Sequence, residues 1–102
     1  MRKKITPGQK VALGLKPSER SLVLDHTLAG PDLTEPLRQA PLVDGRHEVR
    51  YTLDELDELL GYVSAEANHS PDKKIQKQLD ALYTRLRREM ESYDGGLWQR
   101  AF

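Results

Sequence analysis

The stretch TLDELDELLGYVSAEANHSPDKKIQKQLDALYTRLRREMESY, residues 52–93, decides the fold. It opens on Thr52, and Glu55 follows three residues later. That is the pattern of a capping box, in which the Thr hydroxyl and the Glu carboxylate each accept from an orphan N–H of the first turn. Asp54, Glu55, Asp57 and Glu58 crowd the first two turns, where the positive end of the helix dipole favours them. Leu53, Leu56, Leu60, Val63 and Ala67 recur at steps of three and four, the period of one buried helical stripe, and Leu59 widens it. Gly61 sits inside this helix at a cost of about 1 kcal/mol relative to Ala. It offers a place for another backbone to come close.

The second half restarts at once. Ser70 is suited to an N-cap and Pro71 to the first helical position, where no N–H is needed. Ile75, Leu79, Leu82, Leu86, Met90 and Tyr93 form a second stripe, and Asp94-Gly95-Gly96 stops it. So short a connection makes the two helices antiparallel neighbours. Charge favours the pairing. From Leu53 to His69 there are five acids and no Lys or Arg, whereas the second helix carries Lys73, Lys74, Lys77, Arg85, Arg87 and Arg88.

Outward from this centre the signals are shorter. Met1-Arg2-Lys3-Lys4-Ile5 is a basic arm. Thr6-Pro7-Gly8-Gln9 has the form of a second capping box, which predicts a short helix from Pro7 to Leu13 ending at Gly14. Pro17 to Leu28 reads as a further helix, with a strand at Ser21–Leu24 as the competing assignment. Between residues 33 and 41, Pro36 and Pro41 leave room for one or two helical turns. Asp44-Gly45 is a hairpin signal, and His47, Val49 and Tyr51 alternate after it onto one face. The tail Leu97-Trp98-Gln99-Arg100-Ala101-Phe102 is apolar.

The expected fold is therefore mainly α. An antiparallel helical hairpin, about 53–69 and 71–93, carries one or two short N-terminal helices and a small β-hairpin near 42–51. The 102 residues fit one small helical domain with a basic arm at 1–5 and an apolar tail at 97–102.

Composition narrows the function. Sixteen basic and sixteen acidic residues give no net charge, and 37% of residues are hydrophobic. There is no cysteine, so disulfide, thiolate-metal and thiol-nucleophile chemistry are absent. The basic N-terminus lacks a following apolar run, and no segment approaches the ~20 apolar residues of a membrane span. A cytoplasmic protein with no membrane association and no cofactor is expected.

Three constellations merit weighing. Glu66 and His69 lie three apart on one helix face, as in carboxylate-bridged metal sites of helical bundles. Such sites use two of these pairs and two more carboxylates, so no metal is expected and Glu66–His69 is the one candidate to check. Asp25-His26 resembles half of an acid–base pair, but no nucleophile motif accompanies it. With no complete catalytic set, the sequence points away from an enzyme. Basic residues Arg2, Lys3, Lys4, Lys73, Lys74 and Lys77 support an alternative, a nucleic-acid-binding regulator. A helix-turn-helix over residues 7–28 fails in detail, because Lys10 and Arg20 stand where small and apolar residues are needed.

The preferred reading is a non-enzymatic protein–protein interaction or regulatory module that self-associates through its amphipathic hairpin. Its partner is a second copy, giving a homodimer, or another protein. Leu59, Tyr62, Tyr83, Trp98 and Phe102 are the expected interface residues, since aromatic side chains suit interface anchors.

Overall fold

The computed structural model describes residues 3–6 and 8–94, apart from the side chains of Lys3 and Asp94. The elements in chain order are β1 (Lys3–Lys4), β2 (Lys10–Leu15), α1 (Pro17–His26), α2 (Pro31–Arg38), β3 (Leu42–Val43), β4 (Arg46–Thr52), α3 (Leu53–His69), α4 (Lys73–Glu91) and β5 (Tyr93–Asp94). The chain is mainly helical. Its small antiparallel sheet has the strand order β2-β4-β3.

The first departure from the expected Pro7–Leu13 helix lies at residues 8–13, which do not form a helix. Lys10–Leu15 is a strand paired antiparallel to β4, with Val11 opposite Tyr51 and Leu13 opposite Val49. Val11, Leu13 and Leu15 are buried while Lys10 and Ala12 are exposed, the two-residue period of a half-buried strand. The Thr6–Gln9 signal is spent on a turn instead. Gln9 N–H donates to the Thr6 carbonyl (3.1 Å), and the Gln9 side chain accepts from the Thr6 N–H (3.1 Å). Gly8, at φ +84°, supplies the left-handed residue that this turn needs. A helix-turn-helix over residues 7–28 is therefore ruled out.

The sheet's second turn is Asp44-Gly45, where both residues have positive φ (52° and 81°). That is the pattern of the turn whose twist matches a two-residue hairpin. Val49 and Tyr51 face inward and are buried. The Tyr51 hydroxyl donates to the Leu33 carbonyl, tying the sheet to α2.

The segment 21–24 is helical within α1, with Leu22 and Val23 buried. Helix α2 starts earlier than expected. Pro31 occupies its first turn and Pro36 lies inside it, where the missing N–H removes one hydrogen bond. Two residues later the helix ends. Arg20 covers that end, its Nε donating to the Leu37 carbonyl (3.2 Å) and a terminal nitrogen to the Arg38 carbonyl (3.1 Å).

Thr52 and Glu55 close the expected capping box at the start of α3 (2.9 and 3.1 Å). The start of α4 is shifted. Asp72, not Ser70, is its N-cap, and its carboxylate accepts from the Lys74 and Ile75 N–H groups (2.8 and 3.3 Å). Ser70 instead closes α3. Its N–H donates to the Glu66 carbonyl (2.8 Å), its hydroxyl accepts from the Asp72 N–H (3.3 Å), and its carbonyl accepts from Gln76 Nε2 (2.7 Å). That full set of partners lets a serine be buried here.

Leu56, Leu59, Leu60 and Val63 of α3 share one core with Leu79, Leu82, Leu86 and Met90 of α4 and with the inner face of the sheet. Among the described residues no ion pair joins α3 to α4, so apolar contact holds them together. An alanine methyl at Gly61 would meet nothing within 4 Å, so no described backbone approaches it.

Helix α4 ends at Glu91, and Tyr93–Asp94 leaves it as β5, paired in parallel with β1. Lys3 and Lys4 are thus bound into a strand pair and do not form a free arm.

Candidate functional site

Among the described residues, a cleft of about 540 Å³ lies between α1 and α4. Its apolar lining is Leu22, Ile75, Ala81 and Leu82, and its polar lining includes Lys16, Ser18, Ser21, His26 and Gln78. At one end Glu19 and Arg85 meet. Arg85 Nε donates to Glu19 Oε2 (2.8 Å), and a terminal nitrogen donates both to Glu19 Oε1 (2.7 Å) and to the Gly14 carbonyl (3.0 Å). Glu19 Oε1 also accepts from the Lys16 N–H (2.8 Å), the half of a capping box that a lysine N-cap permits. One guanidinium thereby ties together the end of β2, the first turn of α1 and the middle of α4.

The pair is mostly sheltered, with the Glu19 side chain 14% and the Arg85 side chain 31% exposed. Burial alone would raise the Glu19 pKa. The hydrogen bonds from Arg85 and from the Lys16 backbone outweigh it, with help from the positive charges of both residues. The carboxyl is held below its ordinary value near 4.5. Among the described residues that line the cleft, Glu19 is the one acid, and Arg85 pairs with it.

The expected interface residues are dispersed. Leu59 is fully buried inside the chain and has no surface to offer a partner. Tyr62 and Tyr83 are half-buried against the core. Trp98 and Phe102 lie outside the described residues, as does Arg2.

The expected basic clusters do not merge. Lys73, Lys74 and Lys77 are exposed on the first turns of α4. Lys4 is also exposed, but β1 pairs with β5 beyond the opposite end of that helix. Most of α4 lies between them, about 21 Å from Lys77 to Glu91 at 1.5 Å per residue. Of the arginines further along α4, Arg85 is engaged by Glu19 and Arg87 lies 3.5 Å from Glu91.

Among the described residues no three His, Asp or Glu side chains sit together as metal ligands. Glu66 and His69 stand at the end of α3, His69 exposed. His26 shares the cleft with Ser18 and Ser21, but no hydrogen bond joins the three. Asp25 is exposed beside it. His47 Nδ1 lies 3.3 Å from the Ala40 carbonyl and serves the sheet.

Sequence reasoning passed over Glu19 and the cleft. The available signal was Glu19 three residues after Lys16 and two after Pro17, a helix start. Its partner Arg85 is 66 positions away, beyond any local pattern. No helix among the described residues is long and apolar enough to cross a membrane. No protein-family model matches the chain, and no curated protein or solved structure matches it either.

Proposed function

We propose that this chain is a non-enzymatic protein–protein interaction module. Its scaffold is the antiparallel hairpin of α3 and α4, and its contact surface is the side of α4 that α3 leaves uncovered. The observation that carries this reading is the open, apolar-floored cleft between α1 and α4. Such concave strips beside helices accept a further apolar element. Self-association through the hairpin leucines has lost its surface, because Leu56, Leu59, Leu60, Leu79, Leu82 and Leu86 are spent on the chain's own core. A second copy remains one eligible partner, through the half-buried Tyr62 and Tyr83.

Static light scattering at low and high salt, with and without duplex DNA, tests the reading. Protein–protein association that persists at high salt and ignores DNA supports it. A mass that shifts only when DNA is added at low salt overturns it in favour of the nucleic-acid reading, since phosphate contacts weaken steeply with salt. The length of α4 that keeps the basic clusters apart favours the first outcome.

A further inference from the structure

We propose that α1 is a hinged flap latched by Arg85, which opens as a unit while the sheet, α2 and the α3–α4 hairpin stay folded. Its apolar hold is small. Of its ten residues, Leu22 and Val23 are the buried ones. Along its α4 side the cleft leaves space where packing would otherwise be, with Ser18, Ser21 and Leu22 on one wall and Gln78, Ala81 and Leu82 on the other. Two arginines supply the polar attachment. Arg85 of α4 grips Glu19 in the first turn (2.7 and 2.8 Å). Arg20 of α1 reaches the carbonyl end of α2 (3.2 and 3.1 Å).

The chain on both sides of α1 can give. Lys16-Pro17 leads in from β2. Residues 27–30 lead out, with Leu28 85% exposed and open space around Gly30. The Thr27 hydroxyl donates to the Val23 carbonyl (2.7 Å), so α1 carries a partner for that end with it when it moves. What α1 leaves behind is held by other bonds. β2 keeps its whole ladder with β4. α2 keeps Leu33 and Leu37 in the core and the Tyr51 hydroxyl on the Leu33 carbonyl. A segment with few buried side chains, bounded by loops, opens below the free energy of global unfolding.

The latch has a release in acid. Glu19 is faced by Arg85 from α4, with Arg88 and Glu89 one turn beyond, and by Lys16 at its own lip. β2 contributes the Gly14 carbonyl, which Arg46 of β4 also approaches (3.5 Å). The end of α2 that Arg20 covers carries Glu35 and Arg38, which lie 4.0 Å apart. Asp25 and His26 are six and seven residues further along α1, about 9–10 Å away. Protonating Glu19 removes the charge that Arg85 holds. Its lowered folded pKa keeps the latch complete above the ordinary value near 4.5 and loses it as pH falls through the folded value.

Native-state hydrogen exchange of the full chain in low urea tests the flap. The amides of Leu22 to His26 should share one opening free energy, below that of the core amides of α3 and α4. Asp72→Ala, at the cap of α4, should speed exchange of the α4 core about fivefold and leave α1 unchanged. Glu19→Gln and Arg85→Met should each speed α1 exchange on the order of tenfold to a hundredfold, the equivalent of a lost charge-assisted hydrogen bond. Circular dichroism checks that they stay folded, and the isosteric Glu19→Gln decides the matter should the Met variant unfold. Below about pH 4.5 the protection of α1 in the parent, corrected for intrinsic exchange, should fall to that of Glu19→Gln. Exchange of α1 in step with α3 and α4 through every variant overturns the flap. A loss of α1 protection centred near the ordinary histidine value of about 6.5, and unmoved by Glu19→Gln, makes His26 the trigger and overturns the latch.

Discussion

Arg85 joins Glu19 to Gly14, and the two ends of its ion pair make different predictions. Replacing it with Met keeps much of the apolar stem but removes three hydrogen bonds, two to the Glu19 carboxylate and one to the Gly14 carbonyl. A lost charge-assisted hydrogen bond costs about 1.5–3 kcal/mol, which a urea titration would read as a lower midpoint at unchanged slope. Glu19→Gln acts through pH. The folded carboxyl has the lowered pKa, so its contribution is complete above its ordinary value near 4.5 and is lost as pH falls through the folded value. Stability profiles of the parent and the Gln variant should therefore converge below pH 4.5. Profiles that stay parallel there would remove the ion pair as the cause. Tyr51 works at the other end of the scale. Burial, and then the Glu55 charge, push its hydroxyl far above the usual tyrosine range. The unfolded chain ionises first, so this group lowers stability as pH rises beyond about 10. Tyr51→Phe should cost about 0.5–1.5 kcal/mol at neutral pH for the lost hydrogen bond to the Leu33 carbonyl, and the deficit should shrink in strong alkali.

The elements divide by how local their determinants are. The cap of α3 was legible because Thr52 and Glu55 are three residues apart and answer only to each other. The stripes of α3 and the Asp44-Gly45 turn were legible for the same reason. The start of α4 was not. Ser70-Pro71 and Asp72 are both competent openings, and the structure uses the serine to finish α3. Asp72→Ala should then cost about 1 kcal/mol, the usual price of an N-cap, and Ser70→Ala should act through α3 instead. Equal loss of amide protection at the first turn of α4 in both variants would contradict the assignment. β2 was hidden for another reason. Lys10-Val11-Ala12-Leu13-Gly14-Leu15 alternates cleanly, but a helix-start pattern precedes it and its partner strand lies more than thirty positions on. Sheet pairing overrode the local signal. The Glu19–Arg85 cleft was illegible altogether, because the spacing of 66 residues carries no periodicity.

At the scale of the whole molecule, α3 has an inside and an outside, and two adjacent residues test both. Leu60 is 4% exposed, and Gly61 faces open space. Leu60→Asp forfeits about 1.5–3 kcal/mol of apolar burial and strands a carboxylate among leucines, which costs several kcal/mol more. That sum rivals the ~5–15 kcal/mol that holds a domain of this kind together. Cooperative unfolding and near-ultraviolet dichroism should both disappear, and Leu82→Glu on the facing helix should do the same. Gly61→Ala should behave oppositely. It adds a methyl to open solvent and removes a helical glycine, so it should stabilise by about 0.5–1 kcal/mol. The second result separates two architectures that the first cannot. If another copy packs its backbone across the outer face of α3, the added methyl clashes, and Gly61→Ala lowers both stability and solution mass. If that face is open, stability rises and the mass is unchanged. The acids around Gly61 favour the open face, leaving the far side of α4 as the surface on which association turns.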